Sequence, residues 1–314
     1  MILSVSRRTD IPNYYSDWFI NRIREGFLYV RNPMNAHQIS RIDLSPELID
    51  CIVFWTKNPV NMMDKLNELK DYQYYFQVTL SGYGRDVEPG LPDKNDVLIP
   101  AFKELSEKIG KNKVIWRYDP ILINSKYTKE YHYRAFRKIA DELQNYTERV
   151  VISFVDLYAK TQRNTETLGI KNISEDEMRE IAAELAIIAK DHGLKIESCA
   201  EAIDLEGVGI THGHCIDKEL IENVIGCKLK GGKDKNQRPE CGCFESIEVG
   251  TYNTCRNGCR YCYANYNNTM VNTQIEQYAP GSPILCGKVD ESAGDKVTIR
   301  KVESLKQEQL SLFD

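Results

Sequence analysis

No run of about 18 apolar residues occurs in this chain, which excludes a helical membrane span of ordinary length. Its start, MILSVSRRTD, has no charged segment leading into an apolar one, so no secretory signal is expected and a cytoplasmic location follows. No internal repeat stands out, which sets repeat architectures aside. An excess of positive charge is missing too: 41 Lys and Arg against 46 Asp and Glu leave a net charge of −5. That argues against broad electrostatic attraction to nucleic acid while leaving room for a local basic groove. What the 314 residues do hold is a 42% hydrophobic fraction, enough for a sizeable core, and ten cysteines. Length allows one large domain or two small ones. Without an export signal, cysteines read as metal ligands, core residues or redox groups before disulfides.

Five of those cysteines fall in CGCFESIEVGTYNTCRNGCRYCYAN, from Cys241 to Asn265. Cys255, Cys259 and Cys262 are spaced C-x3-C-x2-C, so one loop can aim three thiolates at a common point. Three thiolates leave one iron of a [4Fe–4S] cube without a protein ligand. The competing reading is zinc, which usually takes four closed ligands and would need a fourth from elsewhere.

Elsewhere the chain alternates short β-branched runs with amphipathic helices. Expected strands are Ile2–Ser6, Cys51–Trp55, Tyr74–Thr79, Lys113–Arg117, Arg149–Phe154, Lys195–Ser198 and Ser246–Gly250. Helices are expected over 97–109, 129–144 and 174–190, the last opened by a Ser174/Glu177 capping box. Such alternation implies an α/β fold with a parallel sheet, open or closed into a barrel. Polar residues gather directly after the strands. Ser6, Arg7, Arg8, Thr9 and Asp10 follow the first strand. Lys57 follows the second; Ser81, then Glu88 in EPG, follows the third. Arg117 and Asp119 end the fourth, and Glu201 follows the sixth. In parallel α/β folds the site lies at the carboxyl ends of strands. One rim should therefore collect the cysteine loop with several cations and carboxylates.

Taken in order, RTDIP, TKNP, a strand into EPG, and R-x-DPI resemble the spore photoproduct lyase-like branch of radical S-adenosylmethionine enzymes. Tyr261, just before the third cysteine, also matches that superfamily. That branch carries its cysteine loop before these motifs, whereas this chain carries it after them. Circular permutation accounts for the difference, with Ser246–Gly250 as the family's first strand and Ile2–Ser6 as its second. The whole chain also resembles the family called domain of unknown function 1848. The resemblance implies a partial or nearly closed β/α barrel over 1–265, a [4Fe–4S] cluster and S-adenosylmethionine as cofactors, and a reductase or flavodoxin-type electron donor. By the same resemblance the substrate is a nucleic-acid base. Arg7, Asp10, Lys57, Glu88, Arg117 and Asp119 are the candidate catalytic residues. Ser6, Arg8, Thr9, Ser81, Arg117 and Tyr261 are the candidate nucleotide contacts. A GGE turn, the usual contact to the methionine amino group, is absent; Ser6–Asp10 stands in its place.

Cys199, Cys215, Cys241 and Cys243 could form a second, four-thiolate site for an auxiliary cluster or zinc. Small core residues are the plain alternative for Cys199 and Cys215, as for Cys51. His212 and His214 are substitute ligands, and Cys227 is a weaker one. Lys228, Lys230, Lys233, Lys235 and Arg238 crowd a Gly-rich loop that suits phosphates or open solvent equally. Residues 266–314 read as an extended wrapping segment with a mobile end. Within it Gln309, Leu310, Ser311, Leu312 and Phe313 resemble a sliding-clamp-binding peptide. A function of another class stays open: a non-catalytic zinc-binding or redox-sensing protein.

Overall fold

A computed structural model describes residues 1–156 and 164–307. The expected clamp peptide, Gln309 to Phe313, lies outside the described residues. The strands in chain order are β1 (Ile2–Val5), β2 (Phe27–Asn32), β3 (Asn35–Asp43), β4 (Cys51–Thr56), β5 (Tyr74–Thr79) and β6 (Val114–Ile121). They continue as β7 (Arg149–Phe154), β8 (Lys195–Cys199), β9 (Thr211–Gly213), β10 (Ile247–Glu248) and β11 (Lys296–Ile299).

Eight of them make one parallel sheet in the order β10-β1-β4-β5-β6-β7-β8-β9. Seven consecutive members, β1 to β9, follow chain order because each is joined to the next by a crossover that returns over the same face. The exception is the first. β10 lies beside β1, with Leu3 opposite Ile247 and Ser4 opposite Glu248, although about 240 residues separate them in sequence. Among the described residues β9 and β10 are not paired, so the sheet is an open one.

The two faces follow from the two-residue period of a strand. Leu3, Val5, Ile52, Phe54, Phe76, Val78 and Trp116 form the main core with the outer helices. Phe54 stacks on Phe76 at 4.7 Å and meets Phe19 of helix Ser16–Glu25 edge-on at 5.4 Å; Trp116 stacks on Phe136 of helix Lys129–Leu143 at 4.7 Å. The alternate residues Ile2, Cys51, Val53, Tyr75, Ile115 and Val151 face a second core. It is filled by Cys215, Ile216, Leu229, Cys241, Cys243 and Phe244. A segment of the chain thus plugs the inner face near the amino ends of the strands. One step further along, the inner positions turn polar or reactive: Ser4, Trp55, Gln77, Arg117, Ser153, Cys199.

Expected helices appear as Ile99–Ile109, Lys129–Leu143 and Glu175–Asp191, the last with both halves of its capping box formed. The strand over Lys113–Arg117 runs on through Ile121, while Ser246–Gly250 shortens to two residues. A separate sheet, β11-β3-β2, was not foreseen. Residues 266–307 are not extended throughout: they include helix Asn268–Ile275 and β11, which pairs in parallel with β3.

Candidate functional site

A cavity of about 660 Å³ opens at the carboxyl ends of the strands. Cys255, Cys259 and Cys262, from the loop after β10, line it at one edge of the sheet. Cys199 and Cys215, after β8 and β9, line it at the other edge, with Cys241 and Cys243. Both edges reach one cavity, so the sheet curls like a partial barrel.

The three-cysteine loop is held by the turns after its neighbouring strands. Asp10, buried at the end of β1, caps helix Ile11–Tyr14 through the Asn13 amide at 3.1 Å. Its other oxygen accepts from the Lys57 backbone N–H at 2.9 Å and from Asn257 Nδ2 at 3.0 Å. Burial pushes the Asp10 carboxyl up, against these hydrogen bonds. Asn257 also accepts from Tyr14 at 2.9 Å and from Asn13 at 3.3 Å. Asp10 therefore works as a bolt between β1, β4 and the loop.

The EPG turn is the second support. The Gly90 amide donates to the Asn257 carbonyl at 3.0 Å, and the Arg260 amide to the Val87 carbonyl at 2.9 Å. A Cβ on Gly90 would stand 2.6 Å from the Arg256 carbonyl oxygen, so glycine alone permits this approach. Beneath lies Glu88, 1% exposed. It accepts from Lys57 Nζ at 2.9 Å, Lys94 Nζ at 2.6 Å and Ser81 Oγ at 2.9 Å, and from the Tyr261 hydroxyl. Burial opposes the charge, yet the two lysines win and hold the carboxyl down at about 2. Lys57 is raised because Glu88 outweighs burial, whereas burial keeps Lys94 low. Glu88 and Ser81 do not line the cavity; they fix Lys57 and Tyr261, which do.

Arg7 and Arg117 flank the Trp55 ring at 6.0 and 5.4 Å. Both are occupied. Arg117 pairs with Asp119 and donates to Gln77 at 3.3 Å and to the Cys215 sulfur at 2.8 Å. Arg7 bonds Glu248 at 3.4 Å and Ser246 at 3.3 Å. Ser6 Oγ accepts from the Arg8 and Thr9 amides at 2.9 and 3.3 Å, closing the turn. Arg8 lies over the Tyr252 ring at 4.8 Å and reaches the Gly250 carbonyl at 3.4 Å; among the described residues no carboxylate pairs with it. The Thr9 hydroxyl is buried with no partner among the described residues. Glu201 is outside the cavity lining: it accepts from the Phe154 amide at 2.7 Å, and burial lifts its carboxyl to about 7.

Among the described residues no group of three or more His, Cys, Asp or Glu side chains, in either cysteine set, stands as placed in position to hold a metal ion. The 255–262 loop brings three thiols to the cavity, with Asp10 and Glu88 engaged elsewhere; three thiolates are the donor set that a cube with one open iron would take. Burial pushes the Cys259 thiol up to about 12, with Lys57 pulling the other way. Cys51 is core in β4, and Cys286 is buried beside Tyr15. His212 Nε2 meets the Glu240 carbonyl at 2.8 Å. Asn13 and Asn257 were missed by sequence reasoning; their only signal was Asn inside an otherwise motif-bearing turn.

No curated protein matches the chain. A solved structure from Bacteroides thetaiotaomicron, titled for an alpha-L-fucosidase, is 12% identical over 52% of this chain and 66% of that one, with a TM-score of 0.27. A likeness at that score informs neither fold nor activity. Residues 2–264 match the family described as domain of unknown function DUF1848, a span that holds both cysteine groups and the whole parallel sheet. The chain belongs to that family.

Proposed function

We propose that this protein is a radical S-adenosylmethionine-type enzyme whose [4Fe–4S] cluster is held by Cys255, Cys259 and Cys262. One observation carries the reading. Three thiols from a single loop line the strand-end cavity, and that loop follows a strand parallel and adjacent to β1. A circularly permuted barrel requires this adjacency. When bound, the cluster supplies the electron that cleaves the sulfonium of S-adenosylmethionine to a 5′-deoxyadenosyl radical.

The chain's own residues do the rest. Asp10, Asn257 and Gly90 fix the loop. Glu88 holds Lys57 as a cation beside Cys259, where it offsets part of the burial that keeps the thiol protonated. Arg8, with no carboxylate partner among the described residues, is the guanidinium available for a nucleotide carboxylate or a substrate phosphate. Trp55 lines the cavity with Arg7 and Arg117 over its ring, an aromatic and cationic wall of the kind that suits a nucleic-acid base. The electron donor is a reductase or a flavodoxin-type protein. A clamp-binding tail at Gln309–Phe313 would bring such an enzyme to DNA without a basic surface.

Anaerobic reconstitution tests the reading. The protein should turn brown, with a broad band near about 400 nm and about four irons per chain. Reduction with S-adenosylmethionine should then release 5′-deoxyadenosine, assayed with and without damaged DNA. Replacing any one of Cys255, Cys259 or Cys262 by Ala should abolish release. A colourless protein with zinc on these three thiols would instead establish the non-catalytic alternative.

A further inference from the structure

We propose that Cys199, Cys215, Cys241 and Cys243 bind one zinc ion, a tetrathiolate centre at the opposite edge of the sheet from the 255–262 loop. The inference is independent of the radical reading. Its first ground is convergence. The sulfurs of Cys199 and Cys215 stand 2.7 Å apart. Cys241 and Cys243 line the same end of the cavity, where the amide of Ile216, next to Cys215 in the chain, reaches the Cys243 sulfur. Three separate pieces of chain meet there: the end of β8, the turn after β9, and the loop 241–243.

The second ground is that the surroundings are built for thiolates rather than thiols. The Arg117 guanidinium, 5% exposed, donates to the Cys215 sulfur at 2.8 Å. Its charge is already paired with Asp119, and its remaining N–H is directed at a sulfur, an acceptor that is strong only as a thiolate. The Ile216 amide donates to the Cys243 sulfur at 3.4 Å. The Cys215 carbonyl is held by Tyr75 at 2.7 Å and Gln77 at 2.8 Å, which pins the residue against the inner face of the sheet. Between the paired cysteines, Gly242 lies against the His214 ring, where a Cβ would stand 2.1 Å away. A larger residue at 242 would have to displace the His214 ring.

The third ground selects the ion. Metal–sulfur bonds of about 2.3 Å in a tetrahedron put sulfurs about 3.8 Å apart. The sulfurs here need to part by about 1 Å from their closest contact to admit zinc. A cube would need them much farther apart, because each sulfur holds a different iron. Entry of zinc expels four thiol protons and leaves a net charge of −2 on the centre by the charges of one Zn²⁺ and four thiolates. Arg117 offsets part of that charge directly, and Arg7 interacts with Cys243 and Cys215 from farther away.

The test uses the full chain with Cys255, Cys259 and Cys262 replaced by Ser, purified from zinc-supplemented medium. Elemental analysis should find about one zinc per chain, and cobalt(II) in its place should give the visible colour of a tetrahedral thiolate site. Adding Cys241→Ser and Cys243→Ser should bring the zinc to none. Should that variant fold poorly, the unmodified protein gives the same answer: a mercurial should release one zinc as four thiolates react, with no loss of cluster absorbance before the zinc leaves. No zinc, a disulfide between Cys199 and Cys215, or four irons in the triple variant would each overturn the proposal. A colourless unmodified protein that still holds this zinc would defeat the radical reading alone.

Discussion

At the residue scale, the three-cysteine loop depends on small contacts that have nothing to do with sulfur. Gly90→Ala forces a methyl group against the carbonyls of Arg256 and Asn257. The expected cost is about 1–3 kcal/mol, as for other overpacked contacts, with the loop displaced. Iron content after reconstitution should drop sharply while the far-ultraviolet circular dichroism stays unchanged; full iron loading would refute the role given to the EPG turn. The cysteines were legible because thiols at fixed spacing are rare and have few uses. Gly90 was legible for the same reason, inside EPG. Asn257 and Asn13 were not. An asparagine that bolts a loop differs in no local way from one that faces water, and only the tertiary meeting with Asp10 separates them.

At the scale of elements, helix Lys129–Leu143 carries the clearest consequence. It buries His132 completely, between the Tyr118 hydroxyl at 2.8 Å and the Leu122 carbonyl at 2.9 Å. Burial lowers the imidazole to about 4, so the folded state keeps it neutral. The unfolded chain has the ordinary value of about 6.5 and binds the extra proton first. Stability conferred by His132 is thus intact above about pH 6.5 and falls as pH drops toward about 4, by about 3 kcal/mol in all. Urea titrations between those pH values should show the slope, and His132→Gln should flatten it; an unchanged slope would refute the assignment. The parallel strands were legible because residues buried on both faces give continuous β-branched runs. The hairpin of β2 and β3 was not, because Asn35–Asp43 is mostly exposed and its two buried residues, Ile39 and Ile42, are three apart, which breaks the two-residue alternation of a strand. β10 was placed correctly beside β1 by the motif order, though only two of its five expected residues pair.

At the scale of the whole molecule, Asp50 joins distant parts of the chain. Its carboxylate binds the Met1 ammonium at 2.5 Å and receives the Ser304 hydroxyl at 2.6 Å and the Leu305 amide at 2.7 Å. Removing one partner of a buried ion pair costs about 3–5 kcal/mol. Asp50→Ala should lower the melting temperature accordingly and speed amide exchange over 303–307. Exchange confined to its usual rate there would show that the segment is held by other contacts. The sequence carried no sign of this tie, since Asp50 sits in an ordinary turn before β4.

The pairing of β10 with β1 also sets a schedule. During synthesis the first strand leaves the ribosome about 240 residues ahead of its neighbour. At roughly 5–20 residues per second that interval is roughly 10–50 s. Throughout it the edge of β1 has no partner on that side, and the bolt from Asp10 has no Asn257 to receive. Every thiol proposed to carry metal, from Cys199 to Cys262, is made in the last two-fifths of the chain. The zinc ligands are complete just before β10 is made and the three-cysteine loop only after it, so the nascent chain presents an open edge to chaperones first and an acceptor for zinc, then iron, only late.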